Sequence, residues 1–177
     1  TKARILSPEL AGGALLDLGV YPINLASMLF GPEPMSITSS CAKLETGVDG
    51  QSTILMHYKG AISASLFTTM MYQPDNNARI YGDKWYIEID NINNPEAFRI
   101  YHSDHKLVFE AKKPERQISG YEYEFLAARD AIIVGENQCK EMSHQETLRI
   151  MRICDGLRRT WGVKFPMDVE IPAKPEE

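Results

Sequence analysis

Asp17 and Tyr21 are the residues of this chain whose types and spacing fit acid–base chemistry. They lie four positions apart in Gly12 to Phe30, GGALLDLGVYPINLASMLF, where Asp17 is the one charge from Ala14 onward. On an α-helix, positions i and i+4 share a face. The spacing therefore predicts a carboxylate beside a phenol on an otherwise apolar helix. An ionised carboxylate is costly to bury unless it is paired or hydrogen-bonded, so such a pair at the start of a buried helix suggests a polar cavity there. Spacing alone leaves a structural reading open and somewhat ahead. Asp17 would then sit near a helix N-terminus, where the macrodipole favours negative charge, and Tyr21 would be a core tyrosine with its hydroxyl on the backbone. Gly12-Gly13 marks a tight turn or a close backbone approach.

The elements that must position these residues read as an α+β pattern. A first helix is predicted over Ala14 to Phe30, stopped by Gly31 and bent near Gly19 by Pro22. Strands follow over Ser36 to Glu45, Gln51 to Tyr58, Ala61 to Met71, Arg79 to Tyr81, Trp85 to Ile89, Phe98 to Tyr101 and Leu107 to Glu110, with Val48-Asp49-Gly50 and Lys59-Gly60 as turns. Short connections between consecutive strands imply antiparallel pairing. A helix over Tyr121 to Val134 would present Tyr121, Phe125, Ala128 and Ile132 on one face. Ser143 and Glu146 form a capping box for a last helix that buries Ile150, Cys154, Leu157 and Trp161. The tail, Pro172 to Glu177, reads as frayed. The expected fold class is thus α+β: one largely antiparallel open sheet in a single domain, residues 1–177, with helices packed on one face.

Composition removes several functions. The chain has 177 residues, 44% of them hydrophobic, and a net charge of -5. Without a basic cluster, nucleic-acid binding is disfavoured, because phosphate affinity comes chiefly from Lys and Arg. Cys41, Cys139 and Cys154 are too scattered for a metal site or a disulfide framework, which fits a reducing cytoplasm. The apolar stretch falls short of the roughly 20 residues of a membrane span and is interrupted by Gly19, Pro22 and Asn24. The chain opens TKARILSPEL, without an initiator methionine, and reads as a piece of a longer protein.

GGALLDLGVYPI resembles the opening of the C-terminal domain of the glucose–fructose oxidoreductase / inositol dehydrogenase (Gfo/Idh/MocA) family, which typically reads G-G-G-A-L-x-D-x-G-x-[YH]. RIYGDKWYIEI resembles the family's strand–Gly–strand segment. GYEYEFLAARDAI and MSHQETLRIMRICDGLRRTWGVKFP resemble its closing helices. Tyr21, where many members carry His, is similar to the dihydrodiol dehydrogenase and sugar oxidoreductase branches.

The resemblance implies a two-domain NAD(P)-dependent enzyme. An N-terminal Rossmann domain would bind NAD or NADP, while the C-terminal domain contacts a sugar, polyol or cyclic diol and forms a homo-oligomer. It places the acid/base role on Tyr21 and the substrate-orienting role on Asp17. A third element, a lysine, belongs to the Rossmann domain. This chain has no G-x-G-x-x-G after a strand, and Lys113-Pro114 and Lys174-Pro175 lie in the wrong context to supply that lysine. The implied chemistry is hydride transfer with a general base at the substrate hydroxyl. An unperturbed phenol, with a pKa of about 10, is a poor base at neutral pH until a neighbouring cation favours its phenolate. The alternatives are a non-catalytic ligand-binding module and a self-association domain.

Overall fold

A computed structural model describes residues 2–168. In chain order its elements are α1 (Lys2–Leu6), a 3-10 turn (Pro8–Leu10), a π-helical turn (Leu15–Gly19), α2 (Val20–Phe30), β1 (Ser36–Lys43), β2 (Asp49–Tyr58), β3 (Ile62–Thr69), β4 (Ala78–Tyr81), β5 (Trp85–Asp90), β6 (Ala97–His102), β7 (Leu107–Lys112), α3 (Tyr121–Ile133) and α4 (His144–Trp161). The chain divides into two compact units, one reaching to Gln73 and resuming at Arg149, the other Pro74–Leu148. The fold is α+β with antiparallel strands. The strands form two sheets, of three and four strands, where one broad sheet was expected. The C-terminal tail lies outside the described residues.

In the first unit β1, β2 and β3 pair antiparallel in that order. β2 alternates as a strand with one covered face should: Ser52, Ile54, Met56 and Tyr58 are buried, while Thr53 and His57 are exposed. Helical residues cover that face. Leu15 of the π-helical turn, Ile23 and Ala26 of α2, and Ile150, Cys154 and Leu157 of α4 close one core with Ile54, Met56, Tyr58 and Ala64. The α4 residues recur at the four- and three-residue spacing of a buried helical stripe. Each buried Leu or Ile contributes about 1.5–3 kcal/mol from apolar burial. Trp161 is partly buried at the end of the stripe and donates from Nε1 to Ser39 Oγ at 2.9 Å.

The helical run Pro8–Phe30 has the length and the mean hydropathy, 1.4, of a candidate membrane span. Here one side of it is buried in a protein core: Ala14, Leu15, Ile23 and Ala26 are its buried apolar residues. Two local differences from the sequence expectation matter for the site. Residues Lys2–Leu6 form a short helix where none was expected. The turn between β1 and β2 closes before Val48-Asp49-Gly50, with Leu44 and Val48 paired through Leu44 N–H to Val48 O at 2.9 Å. Val48 and Asp49 are therefore not turn residues; both are fully buried, and Asp49 starts β2.

The second unit holds a four-stranded antiparallel meander, β4-β5-β6-β7. Its register aligns Ile80, Ile87, Ile100 and Phe109 across all four strands on one face. The other face carries the Arg79, Glu88, Arg99 and Glu110 row, tied by ion pairs of 2.8 Å (Arg79–Glu88) and 2.9 Å (Arg99–Glu110). Beside it Tyr86 stacks on Tyr101 at 4.9 Å. α3 ends near the expected position, but it buries none of its residues. The face expected to pack, Tyr121, Phe125, Ala128 and Ile132, is exposed. The last helix begins as its capping box predicts, with Glu146 N–H donating to Ser143 Oγ at 3.2 Å.

Candidate functional site

The segment that presents Asp17 and Tyr21 is built on the glycine pair before it. Gly12 N–H donates to Ser7 O and Gly13 N–H to Ile5 O, both at 2.9 Å, so the pair lies flat against α1. A Cβ on Gly12 would stand 2.6 Å from Ile5 O. Gly13 has φ +123°, and a Cβ there would collide with Asp49 Oδ1. Glycine is needed at both positions, once for space and once for space and conformation together.

Past the pair the chain enters the π-helical turn. Val20 N–H reaches back five residues to Leu15 O. Pro22, in the first turn of α2, has no N–H to donate to Leu18, and the turn before it widens in place of a simple kink. π-turns of this kind are frequent at functional positions. The turn makes the angular separation of Asp17 and Tyr21 differ from that of an unbroken α-helix.

The structure pairs Asp17 with Arg4 of α1 and not with Tyr21. Arg4 carried no signal in the sequence, because no helix was expected there. Tyr21 is 47% exposed, and among the described residues its hydroxyl has no hydrogen-bond partner. Tyr58 shows the contrast: it is 5% exposed, packs on Phe30 and points its hydroxyl at Met56 Sδ. Asp17, with its side chain 34% exposed, also reaches the surface. The arrangement is an open one: a phenol and an ion-paired carboxylate, one turn apart, both open to a reactant.

Below them lies a carboxylate that reading the sequence as a turn had hidden. Asp49 is fully buried, and its Oδ2 accepts the Leu15 N–H at 2.6 Å. Its Oδ1 has no hydrogen-bond partner among the described residues. Burial pushes the Asp49 carboxyl up from 3.8 to about 6, against the backbone amides of Leu15, Asp49 and Ala14 and the charge of Arg158, which pull it down. The native state thus holds this proton more tightly than the unfolded chain does. Its contribution to stability is full below about pH 4 and is lost as the pH rises through about 6. A separate groove of about 370 Å³ on the second unit, lined by Arg79, Tyr81, Trp85, Tyr86, Glu88 and His105 among others, contains none of these residues.

Residues 1–88 match the model of the GFO/IDH/MocA C-terminal domain. The chain is 30% identical to a scyllo-inositol 2-dehydrogenase (NADP(+)) of Bacillus subtilis, over 95% of this chain and 50% of that protein. It is also 30% identical to a trans-1,2-dihydrobenzene-1,2-diol dehydrogenase of Xenopus tropicalis, over 92% of this chain and 51% of that protein. The chain thus spans about half the length of these relatives. Among solved structures it is similar to KijD10, a 3-ketoreductase from Actinomadura kijaniata in complex with NADP and TDP-benzene, with a TM-score of 0.73 and 21% identity over 88% of this chain and 48% of that one.

Proposed function

Because the chain belongs to the GFO/IDH/MocA C-terminal domain family, we propose that it is the substrate and oligomerisation half, residues 1–177, of a cytoplasmic NAD(P)-dependent oxidoreductase. The substrate class is a sugar, a polyol or a cyclic diol. Tyr21 exchanges the proton of the substrate hydroxyl, and Asp17 orients that hydroxyl or the phenol. The observation that carries this reading is the exposed Tyr21 hydroxyl, without a partner among the described residues, on a largely apolar helix. Inositol and dihydrodiol dehydrogenases among the relatives support the substrate class.

The nicotinamide cofactor belongs to an upstream Rossmann domain, where it supplies the hydride acceptor or donor. The described residues of this chain do not form a cradle for it. The glycine pair has the composition of a phosphate-binding turn, yet its two N–H groups are already given to Ser7 and Ile5. The helix start behind it already holds a carboxylate, Asp49. A helix N-terminus attracts phosphate through free N–H groups, and here those positions are taken. Calorimetric titration of NAD and NADP against this chain is expected to show no tight binding. Micromolar affinity for either would overturn the assignment of the cofactor to another domain.

Self-association is assigned to the four-stranded sheet of the second unit. Its apolar row ends in Phe109, 49% exposed, and Phe98 beside it is 39% exposed. The outward alternation of the three-stranded sheet is mostly polar: Thr38, Ser40, Thr53, His57, Ser63 and Ser65 are exposed there beside Phe67, 44% exposed and stacked on Tyr72, and Leu66 packs toward the core. A contiguous exposed apolar face usually marks an interface. Sedimentation should show dimers or larger species at concentrations on the order of tens of micromolar, the range of weak interfaces. A monomer there counts against the assignment.

A further inference from the structure

Among the described residues of the first unit, Asp49 is the one buried acid, and the proposed chemistry does not use it. Its position is unusual in three respects. It stands at the first residue of β2, yet its side chain reaches the opening of the helical run, where Leu15 N–H donates to it. It fills the space that forces position 13 to be glycine. It leaves one buried oxygen without a partner. A group with a buried unpartnered oxygen, its carboxyl pushed up by burial, is not explained as a source of stability. It does, however, anchor the first N–H of the π-helical turn, which carries Asp17 two residues later and leads into α2, where Tyr21 lies six residues later.

We propose that Asp49 is a positioning residue: its carboxylate fixes the start of the π-helical turn and thereby sets where Asp17 and Tyr21 stand. The proposal rests on the oxidoreductase reading for its consequence in catalysis, but not for its structural part. The turn is held from three sides, by Asp49 from β2, by the Arg4–Asp17 ion pair from α1, and by packing of Gly19 toward Thr68 of β3. Of the two polar ties only that of Asp49 is fully buried, so it is shielded from solvent and salt where the Arg4–Asp17 pair is not. The titratable groups that feel it are Arg158 and Cys154 on α4 and Cys41 on β1. Burial holds both thiols neutral, pushed up to about 12 for Cys154 and about 11 for Cys41, so Arg158 is the only charge among them.

Two measurements test the proposal. In this chain, the Leu15 amide resonance should titrate together with the Asp49 carboxyl, and Asp49→Asn should abolish that titration while keeping one acceptor oxygen for the amide. Asp49→Ala should lower hydrogen-exchange protection of residues 15–21 at least tenfold, with Ile54 and Met56 in β2 unchanged. A pH-silent Leu15 amide, or unchanged protection of residues 15–21 in Asp49→Ala, overturns the proposal. In the chain joined to its cofactor domain, Asp49→Ala should reduce kcat by at least tenfold with KM for NADP unaltered, and Asp49→Asn should recover most of that loss. Equal losses in both variants would assign Asp49 a merely structural role and overturn its positioning one. If Tyr21→Phe turns over normally while the amide measurements hold, the oxidoreductase site has failed and the anchoring of the turn stands.

Discussion

Tyr21→Phe in the oxidoreductase proposed to carry this chain is expected to lower turnover about 10²–10⁴-fold, the usual worth of general acid–base assistance, and to change substrate binding little. The substitution keeps the ring and removes one hydroxyl. That hydroxyl is not part of the fold's hydrogen bonding: Tyr21 is nearly half exposed, and no described group accepts from it or donates to it. The melting temperature should therefore stay where it is. Asp17→Asn is expected to behave differently. It keeps the shape but removes the charge that pairs with Arg4. An exposed pair of this kind is worth about 0–1 kcal/mol in stability, so the fold should again tolerate the change, while both KM and kcat suffer through loss of orientation. Steady-state kinetics of both variants beside their thermal melts decide the matter. An unchanged kcat with a lowered melting temperature in Tyr21→Phe would return that residue to a structural role.

What was legible beforehand followed from local periodicity. The strands from Trp85 to Lys112 fell within two residues of their expected ends because alternation and turn residues are local signals. The stripe Ile150, Cys154, Leu157 was visible because a buried helix face repeats at helical spacing. The site was legible only in part. Asp17 and Tyr21 stood out as polar groups in an apolar run, but the π-turn that changes their mutual angle depends on Pro22 acting on the turn before it. Arg4 and Asp49 were not legible at all. Both act across 13 and 34 residues of sequence, and Val48-Asp49-Gly50 has the composition of a turn. A fully buried Asp beside a glycine cannot be told from an exposed turn Asp until the glycine it excludes, Gly13, is seen against it. The same limit explains α3, whose periodic apolar face is real in sequence and uncovered in the structure.

Gly13→Ala should destabilise the first unit strongly. Position 13 sits at φ +123°, a region that L side chains rarely adopt, and holding a non-glycine residue there costs on the order of 1–3 kcal/mol. The added Cβ must also displace the Asp49 carboxylate. That movement breaks the bond from Leu15 N–H and leaves a buried donor and a buried charge without partners, worth at least another 1–3 kcal/mol. Together the loss is roughly 2–6 kcal/mol, a large share of the 5–15 kcal/mol that holds a typical domain. Gly47→Ala supplies the comparison. Gly47 has φ +91° with nothing within 4 Å of its would-be Cβ, so it carries the conformational cost alone. Urea melts of the two variants separate the steric part from the conformational part. Gly13→Ala should lose at least 1 kcal/mol more than Gly47→Ala, and adding Asp49→Ala to it should cost far less than Asp49→Ala costs the unsubstituted chain, because the same bond cannot be broken twice. Equal losses in the two glycine variants would mean that Asp49 does not stand against Gly13, and the anchor of the π-helical turn would have to be sought elsewhere.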